Sequence, residues 1–305
     1  MIGLSTSWLT QRTNMTGRKV IQEIVTLGFS EIELDYRITD TAFREMVPLI
    51  LREELKIISI HNYFPCPNGT PTSWGGGDLF LLSSPDKDER SRAVEMTLRT
   101  IESAQDLGAP AVVLHLGRVE MKTEYDRLHT LSRDNMLDSP EGRRFVERKL
   151  EERRQHRGPY VDALLRSLDR LNKEGEKRGV LLGIENRYHY HEIPDFEEVG
   201  LILDSYSGGS LRYWHDVGHA HVQEKLGFME PGTLIQTYSP MLLGVHIHDA
   251  NGTDDHWAPG SGEIDFWALK KDLEPAQLKI LEVHGKSTRN QLLTGMALLE
   301  RIGLS

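Results

Sequence analysis

Side chains that can bind a metal ion recur at the ends of short apolar segments along this chain. Each segment is rich in residues that favour β-strands and carries a histidine or a carboxylate at or near its end. The segments ISIH, VVLH, LLGIE, YWHD, GVHIHD and LKILE bring, in this order, His61, His115, Glu185, Asp216, His246 and Glu282. Carboxylates and imidazoles are costly to bury unpaired, and a divalent cation removes that cost because it pairs with the carboxylates and orders the imidazoles. We predict that the last four of these residues hold a metal ion.

Further candidate ligands lie close to the same segments. His219 follows Asp216 by three residues, and Asp254 and His256 precede the glycine-rich stretch APGSGEID. Together with His61 and His115, they exceed the roughly four to six donors that one ion takes. The surplus predicts either as many as three ions or contacts to the substrate and to the ligands. One ion, Mn²⁺, Co²⁺, Mg²⁺ or Zn²⁺, is the simpler expectation.

Alternation of strands and helices predicts how these residues meet. The predicted strands cover residues 2–7, 31–35, 57–61, 111–116, 180–185, 211–216, 242–248 and 278–283, and helical patterns lie between them. Strictly alternating elements indicate parallel strands with right-handed crossovers. Eight such units predict an α/β protein with a single (β/α)8 TIM barrel over residues 1–305, in which the strand ends surround one pocket. A doubly wound open sheet is less favoured, because no G-x-G-x-x-G motif follows the first strand.

Two connections, after strands 3 and 4, are long. Residues 62–89 are rich in proline, glycine and serine, whereas residues 117–159 contain the charged, helical pattern EGRRFVERKLEERRQHR. Both leave the barrel at the face where active sites form. We predict that residues 118–158 form a helical insertion that acts as a lid or as a subunit contact, which would suit a homo-oligomer.

The amino-acid composition limits the classes of protein to which this chain can belong. The formal net charge of −10 gives no general support for a nucleic-acid partner, although a local basic cleft remains compatible with it. Cys66 is the only cysteine, so the chain has no internal disulfide. The first residues lack the pattern of a signal peptide, and no apolar run reaches the roughly 18 residues of a membrane span. We expect a cytoplasmic protein without a membrane segment.

Residues near the predicted strand ends are candidates for substrate contacts. Arg187 lies in the loop after Glu185 and could hold a substrate oxygen or phosphate, and a structural ion pair is the alternative. Trp8 and Trp257 could offer a stacking face to a sugar ring, and core packing is the alternative for both. His248 and His284 adjoin site residues, but strand alternation predicts that they point away from the barrel interior.

Five motifs in this order resemble the xylose isomerase-like barrel superfamily, which includes sugar isomerases, ketose 3-epimerases, inosose dehydratases and endonuclease IV. They are GFSEIELD, LGIENR, WHDVGHA, GVHIHDANGTDDHWAPGSGEIDF and ILEVHG. Resemblance to the epimerases implies a single Mn²⁺, Co²⁺ or Mg²⁺ on the four predicted ligands, with Glu185 and Glu282 as the catalytic acid/base pair. A metal chelated by a hydroxyl and a carbonyl acidifies the C–H between them and stabilises the ene-diolate.

Resemblance to endonuclease IV implies a different activity. That branch cleaves abasic-site DNA with three zinc ions, and its ligand pattern falls on the four predicted ligands together with His61, His115, His219, Asp254 and His256. The long insertion after His115 departs from that enzyme, and no clear set of basic and intercalating loop residues is present.

The sequence therefore predicts a divalent-metal-dependent isomerase, epimerase or dehydratase acting on a sugar, a sugar phosphate or a polyol. A multi-zinc phosphoester hydrolase is the alternative enzyme. A protein that binds a metal or a sugar without catalysis is the alternative outside enzymes.

Overall fold

Eight parallel strands close into a barrel in the computed structural model, which describes residues 1–10, 15–67, 69–70 and 78–304. The strands are β1 Gly3–Ser5, β2 Glu31–Leu34, β3 Lys56–His61, β4 Ala111–Leu114, β5 Leu181–Glu185, β6 Leu211–Asp216, β7 Leu242–Ile247 and β8 Leu278–Leu281. Neighbours in sequence are neighbours in the barrel, and β1 pairs with β8 through Gly3 and Ile280. Each predicted segment overlaps one strand, so the predicted (β/α)8 barrel is confirmed.

Helices connect the strands and cover the outside of the barrel. They are α1 Ser7–Thr10, α2 Gly17–Thr26, α3 Asp40–Arg52, α4 Lys87–Asp106, α5 Tyr125–Arg133, α6 Pro140–His156, α7 Gly158–Arg178, α8 Phe196–Ser205, α9 Val217–Lys225, α10 Thr233–Tyr238, α11 Phe266–Leu273 and α12 Arg289–Ile302, with a 3₁₀ turn at Ser239–Met241. Side chains satisfy the free N–H groups at several helix starts, as Asp195 and Thr288 do in capping boxes. None of these helices is long and apolar enough to cross a membrane.

Two short antiparallel sheets of two strands each extend the rim at the carboxyl ends of the barrel strands. In the first, a hairpin, Asp249–Asn251 pairs with Asp254–Trp257 directly after β7. In the second, Gly117–Arg118, after β4, pairs with Glu192–Ile193, after β5. The second sheet connects the start of the long insertion to the loop that follows Glu185. Of the long connection after β3, residue 68 and residues 71–77 lie outside the described part of the chain.

The insertion contains helices α5 and α6 and packs on the rim of the barrel. Its helices α5 and α6 contribute to an apolar cluster with the loop after β5, the end of α9 and the hairpin after β7, formed by Leu128, Leu131, Phe145, Val146, Tyr190, Val222, Leu226 and Ala250. Two buried cations reinforce this packing. Lys149 Nζ donates to the Lys122 carbonyl at 2.7 Å, and Arg153 Nη2 donates to Glu198 Oε2 at 2.7 Å. The roles of lid and subunit contact stay predictions.

Trp214 fills the barrel interior below the strand ends. Its side chain is fully buried and packs with Ile58, Val113 and Ile280. Glycines at 183 and 244 make room for the indole, because a Cβ at either position would overlap its ring. The glycines are therefore required by packing.

We predict that Gly244→Ala lowers the free energy of unfolding by about 1–3 kcal/mol, because the added methyl group overpacks the core against Trp214. Urea denaturation measures the change. Gly158→Ala is the matched control, since its added Cβ would meet no atom within 4 Å. Equal effects of both substitutions would contradict this account of the packing.

Candidate metal centre

His246 is surrounded by carboxylates from the neighbouring strand ends. Its Nδ1 lies 2.6 Å from Glu185 Oε1, 3.0 Å from Glu282 Oε2 and 3.7 Å from Asp216 Oδ2. All four side chains are buried, and one donor atom from each falls within 4.8 Å of the others. The barrel thus brings together the four residues that the sequence predicted as the central metal ligands, because they end β5 and β6, directly follow β8 or lie near the end of β7.

A cation is required where these carboxylates meet. Burial alone would lower the pKa of His246, but the carboxylates of Glu282, Glu33 and Glu185 raise it well above its usual value. His246 in turn lowers the pKa of Glu282, against the opposing effect of burial. A proton on one imidazole is thus shared among several carboxylates. Two glutamates, an aspartate and a histidine also form a donor set that suits Mn²⁺, Mg²⁺, Co²⁺ or Zn²⁺, so the residues fit a divalent ion.

Glu33 completes this group from β2, and the sequence reasoning missed it. Ser59 Oγ donates to Glu33 Oε2 at 2.7 Å, and the same oxygen lies 3.1 Å from His246 Nε2. Glu33 is fully buried, and its other oxygen has no hydrogen-bond partner in the described structure. A carboxylate that accepts from one ring nitrogen fixes the tautomer and leaves the other nitrogen for a metal. The available signal was an acidic residue between the apolar Ile32 and Leu34 within a strand.

Glu185 belongs to a second group of donors. His115 Nε2 lies 2.8 Å from Glu185 Oε2, and His61 Nε2 lies 3.8 Å from the same oxygen. The two imidazole centroids are 4.5 Å apart. Asp78 Oδ1 lies 3.4 Å from His115 Nδ1 on the outer side of the ring. Two of the additional predicted ligands therefore lie beside the central group and share Glu185 with it.

Asp216 belongs to a third group, with His219, His248 and His256. Its carboxylate caps α9 by accepting the His219 backbone N–H at 2.7 Å and also lies 2.9 Å from His248 Nε2. The His256 N–H donates to His248 Nδ1 at 2.9 Å, so Nε2 carries the proton of a neutral His248. The prediction that His248 points away from the barrel was wrong, because His248 lies two residues after His246 and the strand period of two places both side chains on the same face.

The hairpin after β7 places its acidic residues differently from the sequence prediction. His256 has a left-handed backbone with φ 55°, and its ring stacks between His248 and His284 at centroid distances of 4.0 and 3.7 Å. This backbone breaks strand alternation, so Asp255 also faces inward, with Oδ2 3.7 Å from His219 Nε2. Asp254, the predicted ligand, instead pairs with Lys286 and accepts from Trp257 Nε1 at 2.9 Å. Asp254 does not reach the site.

Comparison with known proteins places this arrangement in a family. A model of the xylose isomerase-like TIM barrel matches residues 21–302. The chain belongs to the xylose isomerase-like TIM barrel family. An uncharacterized protein of Methanocaldococcus jannaschii is 26% identical over 213 residues, which are 68% of this chain and 67% of that protein.

Two solved structures show how widely the xylose isomerase-like barrel is shared. A D-tagatose 3-epimerase-like protein is 18% identical, with a TM-score of 0.68 over 99% of this chain and 96% of that one. The 3-keto-D-glucoside 4-epimerase of E. coli is 16% identical, with a TM-score of 0.66 over 98% of each chain. At these identities, the likeness establishes the fold.

The pocket of this xylose isomerase-like barrel opens above the candidate metal ligands and has a volume of about 340 Å³. Its lining includes side chains that the sequence reasoning did not assign to it, namely Tyr36, Arg37, Asp78, Asp255 and His284. Arg187, a predicted substrate contact, also lines the pocket. Its guanidinium lies 3.2 Å from Glu185 Oε2 and 3.1 Å from Glu192 Oε1. Arg187 therefore forms ion pairs and also lines the pocket, and its contact with a substrate stays a prediction.

The two predicted tryptophan contacts lie elsewhere. Trp8 is fully buried, and its Nε1 donates to the Ser287 carbonyl at 2.9 Å, so it is part of the core. Trp257 lies in the rim hairpin, with Lys286 Nζ 4.8 Å from its ring centroid. Neither side chain lines the 340 Å³ pocket.

We predict that Glu33→Gln weakens Mn²⁺ binding about 10–100-fold, because the amide no longer provides a charged acceptor for His246 Nε2–H. Calorimetric titration of the metal-free protein measures the affinity. Glu31→Gln is the matched control, since Glu31 belongs to the same strand and pairs with Lys56 at 3.2 Å. Unchanged affinity in Glu33→Gln would show that Glu33 does not support the metal ligand.

Proposed function

We propose that this protein is a divalent-metal-dependent enzyme that moves a proton on a carbon next to a carbonyl of a sugar or polyol. The reaction class is that of an epimerase, an isomerase or a dehydratase. The observation that carries the proposal is the pair of buried carboxylates, Glu185 and Glu282, whose oxygens lie 2.6 and 3.0 Å from the same nitrogen of His246. Two carboxylates from different strands at the base of one pocket can take a proton and return one.

The ion and the two carboxylates have different roles in the proposed reaction. Bound by Glu185, Asp216, His246 and Glu282, a divalent ion supplies Lewis-acid polarisation of substrate oxygens. His115 Nε2 at 2.8 Å and Arg187 Nη1 at 3.2 Å also donate to or pair with Glu185 Oε2.

Glu282 has a different environment. Its Oε2 has His246 as its close charged partner, while His256 Nε2 is 3.8 Å away. Glu282 is therefore the more accessible proton acceptor, and Glu185 is the more tightly held member of the pair. Both have a pKa below the usual value of a glutamate, with His246 opposing the effect of burial in each case. Both therefore start the reaction as carboxylates.

The pocket and the comparisons support a sugar or polyol as substrate. The pocket is lined almost entirely by polar and charged side chains, which hydrogen-bond to hydroxyl groups, and its volume of about 340 Å³ suits a single sugar ring. The names of the two similar structures describe sugar epimerases. Because similar barrels host different reactions, these names support the proposed class and leave the substrate open.

We predict that Glu282→Gln lowers the rate of hydrogen exchange between substrate and solvent by about 10²–10⁴-fold, because the amide cannot accept the proton. NMR in D₂O at saturating Mn²⁺ measures the exchange on D-fructose, D-tagatose and an inosose. Glu274→Gln is the control, because it removes an exposed carboxylate shortly before β8. Full exchange in metal-loaded Glu282→Gln would exclude Glu282 as the base.

A multi-zinc phosphoester hydrolase is the second candidate function. It is supported by the four adjoining donor groups of the described residues, in which the carboxylates of Glu185, Asp216 and Glu282 each belong to two. Shared carboxylates are the arrangement expected when several ions lie close together. The described lining of the pocket holds only two arginines, Arg37 and Arg187, and Arg187 is already paired with carboxylates. This charge balance favours the sugar substrate over a phosphodiester.

We predict that the untagged protein contains about one Mn, Co, Mg or Zn ion per chain, measured by inductively coupled plasma mass spectrometry. Removal of the ion by a chelator should lower the melting temperature, because an ion that binds only the folded state stabilises it. Two or three zinc ions per chain, together with cleavage of abasic-site DNA, would replace the proposed function with the hydrolase.

A further inference from the structure

A second cavity adjoins the pocket above the metal-binding residues. Its volume is about 540 Å³, and it shares three lining residues with that pocket, Asp78, His189 and Glu192. The rest of its described lining comes from the segments that follow β3, β4 and β5: Leu79, Leu81, Glu89, Arg118, Tyr125 and His191. A ligand that extends beyond the first pocket over these three shared residues enters the second cavity. We call this second cavity the outer cavity.

His191 offers the outer cavity a directed hydrogen-bond donor. Its side chain is nine-tenths buried, and its Nδ1 lies 2.8 Å from the hydroxyl of Tyr125. Burial raises the pKa of Tyr125 and lowers that of His191 to about 4, so a protonated phenol donates to a neutral imidazole. The imidazole proton is therefore on Nε2, for which the described residues provide no hydrogen-bond acceptor.

The insertion holds the outer cavity in place. Tyr125 begins α5, and Tyr190, next to His191, donates to the carbonyl of Thr123. Behind the cavity, Arg153 Nη2 of α6 donates to the Glu192 carbonyl at 2.8 Å. The insertion therefore forms a fixed wall built from buried contacts. The ring of Tyr125 and the imidazole of His191 are positioned before any ligand arrives.

The chemistry of the lining distinguishes among ligands. Three carboxylates, Asp78, Glu89 and Glu192, accept hydrogen bonds from hydroxyl groups and repel phosphates, while Arg118 and His191 donate. The ring of Tyr125 and the side chains of Leu79 and Leu81 add apolar surface. Mixed acceptors and donors beside an aromatic ring match a sugar ring, which has hydroxyl groups at its edge and C–H groups on its faces.

We propose that the outer cavity binds a second, uncharged sugar ring, so that the substrate is a glycoside or disaccharide. This inference rests on the proposed function, because the reacting ring occupies the first pocket. It assigns the insertion a role in substrate selection, with Arg118 and His191 as specificity-determining residues.

The test compares one-ring and two-ring ketoses with metal-loaded protein. Lactulose and isomaltulose each carry a second ring on a fructose unit, and D-fructose and fructose 6-phosphate are the one-ring probes. NMR in D₂O measures kcat/KM for C–H exchange. We expect a disaccharide-to-fructose ratio of about tenfold or more. Arg118→Gln and His191→Phe should each lower that ratio by about fivefold, which corresponds to the net free-energy contribution of one hydrogen bond.

The matched control is Arg144→Gln, which removes an exposed arginine from α6 of the same insertion, away from the outer cavity. It should leave the ratio unchanged, and circular dichroism and melting curves confirm that each variant folds. A wild-type ratio near one, or the same ratio in both cavity variants as in wild type, would overturn the proposal. A higher kcat/KM for fructose 6-phosphate than for the disaccharides would contradict the proposal that the second ring is uncharged.

Calorimetric titration of lactulose and isomaltulose into the metal-loaded protein separates this proposal from the proposed function. If the disaccharides bind more weakly to Arg118→Gln and His191→Phe but no sugar shows C–H exchange, the outer cavity binds a sugar ring and the proposed reaction is wrong. Exchange on D-fructose without measurable binding of either disaccharide retains the reaction and removes the sugar-binding role of the outer cavity.

Discussion

Glu33, Glu185 and Glu282 each place an oxygen within 3.1 Å of a ring nitrogen of His246. Buried like charges at this separation repel strongly, so they remain together only if a cation lies among them and the scaffold resists their separation. The barrel provides that resistance, because the residues come from four different strands whose registers are fixed by their pairing around a closed sheet. A divalent ion can replace the shared proton and neutralise more of the carboxylate charge. The candidate metal centre therefore follows from the charge of the site and the rigidity of the fold together.

The sharing of carboxylates between donor groups has a consequence for how the site works. Glu185 faces His246 through one oxygen and His115 through the other, and Asp216 meets His246, His248 and the start of α9. A displacement of either carboxylate changes two groups at once. Substitutions at these positions therefore should not have additive effects, since residues in one hydrogen-bond network are coupled. For the same reason, a single ion at the central group would set the orientation of the histidines around it.

The sequence allowed the barrel and the convergence of the four central residues to be predicted because both follow from regular periods. Strands of similar length alternate with helices, and a residue at the end of a parallel strand has a defined place on the rim. His248 was placed wrongly because it lies two residues after His246, and a strand period of two puts both on the same face. Asp254 was placed wrongly because it lies in the hairpin after β7, where the left-handed backbone of His256 interrupts alternation. Glu33 was missed for another reason. It lies within a strand rather than at its end, and only the three-dimensional neighbourhood of His246 shows its role.

The charged insertion shows that amino-acid composition does not by itself predict which side chains are exposed to solvent. Its sequence is typical of a solvated helix, yet Lys149 and Arg153 are buried. Lys149 finds carbonyl and carboxylate partners within the insertion, and Arg153 finds them at Glu192 and Glu198, after β5. Arg153 holds the backbone of Glu192, and the side chain of Glu192 pairs with Arg187 at 3.1 Å. Arg187 in turn lies 3.2 Å from Glu185. The insertion thus reaches the metal centre through a continuous series of ion pairs and hydrogen bonds, so the wall that shapes substrate access also fixes the surroundings of a proposed catalytic carboxylate.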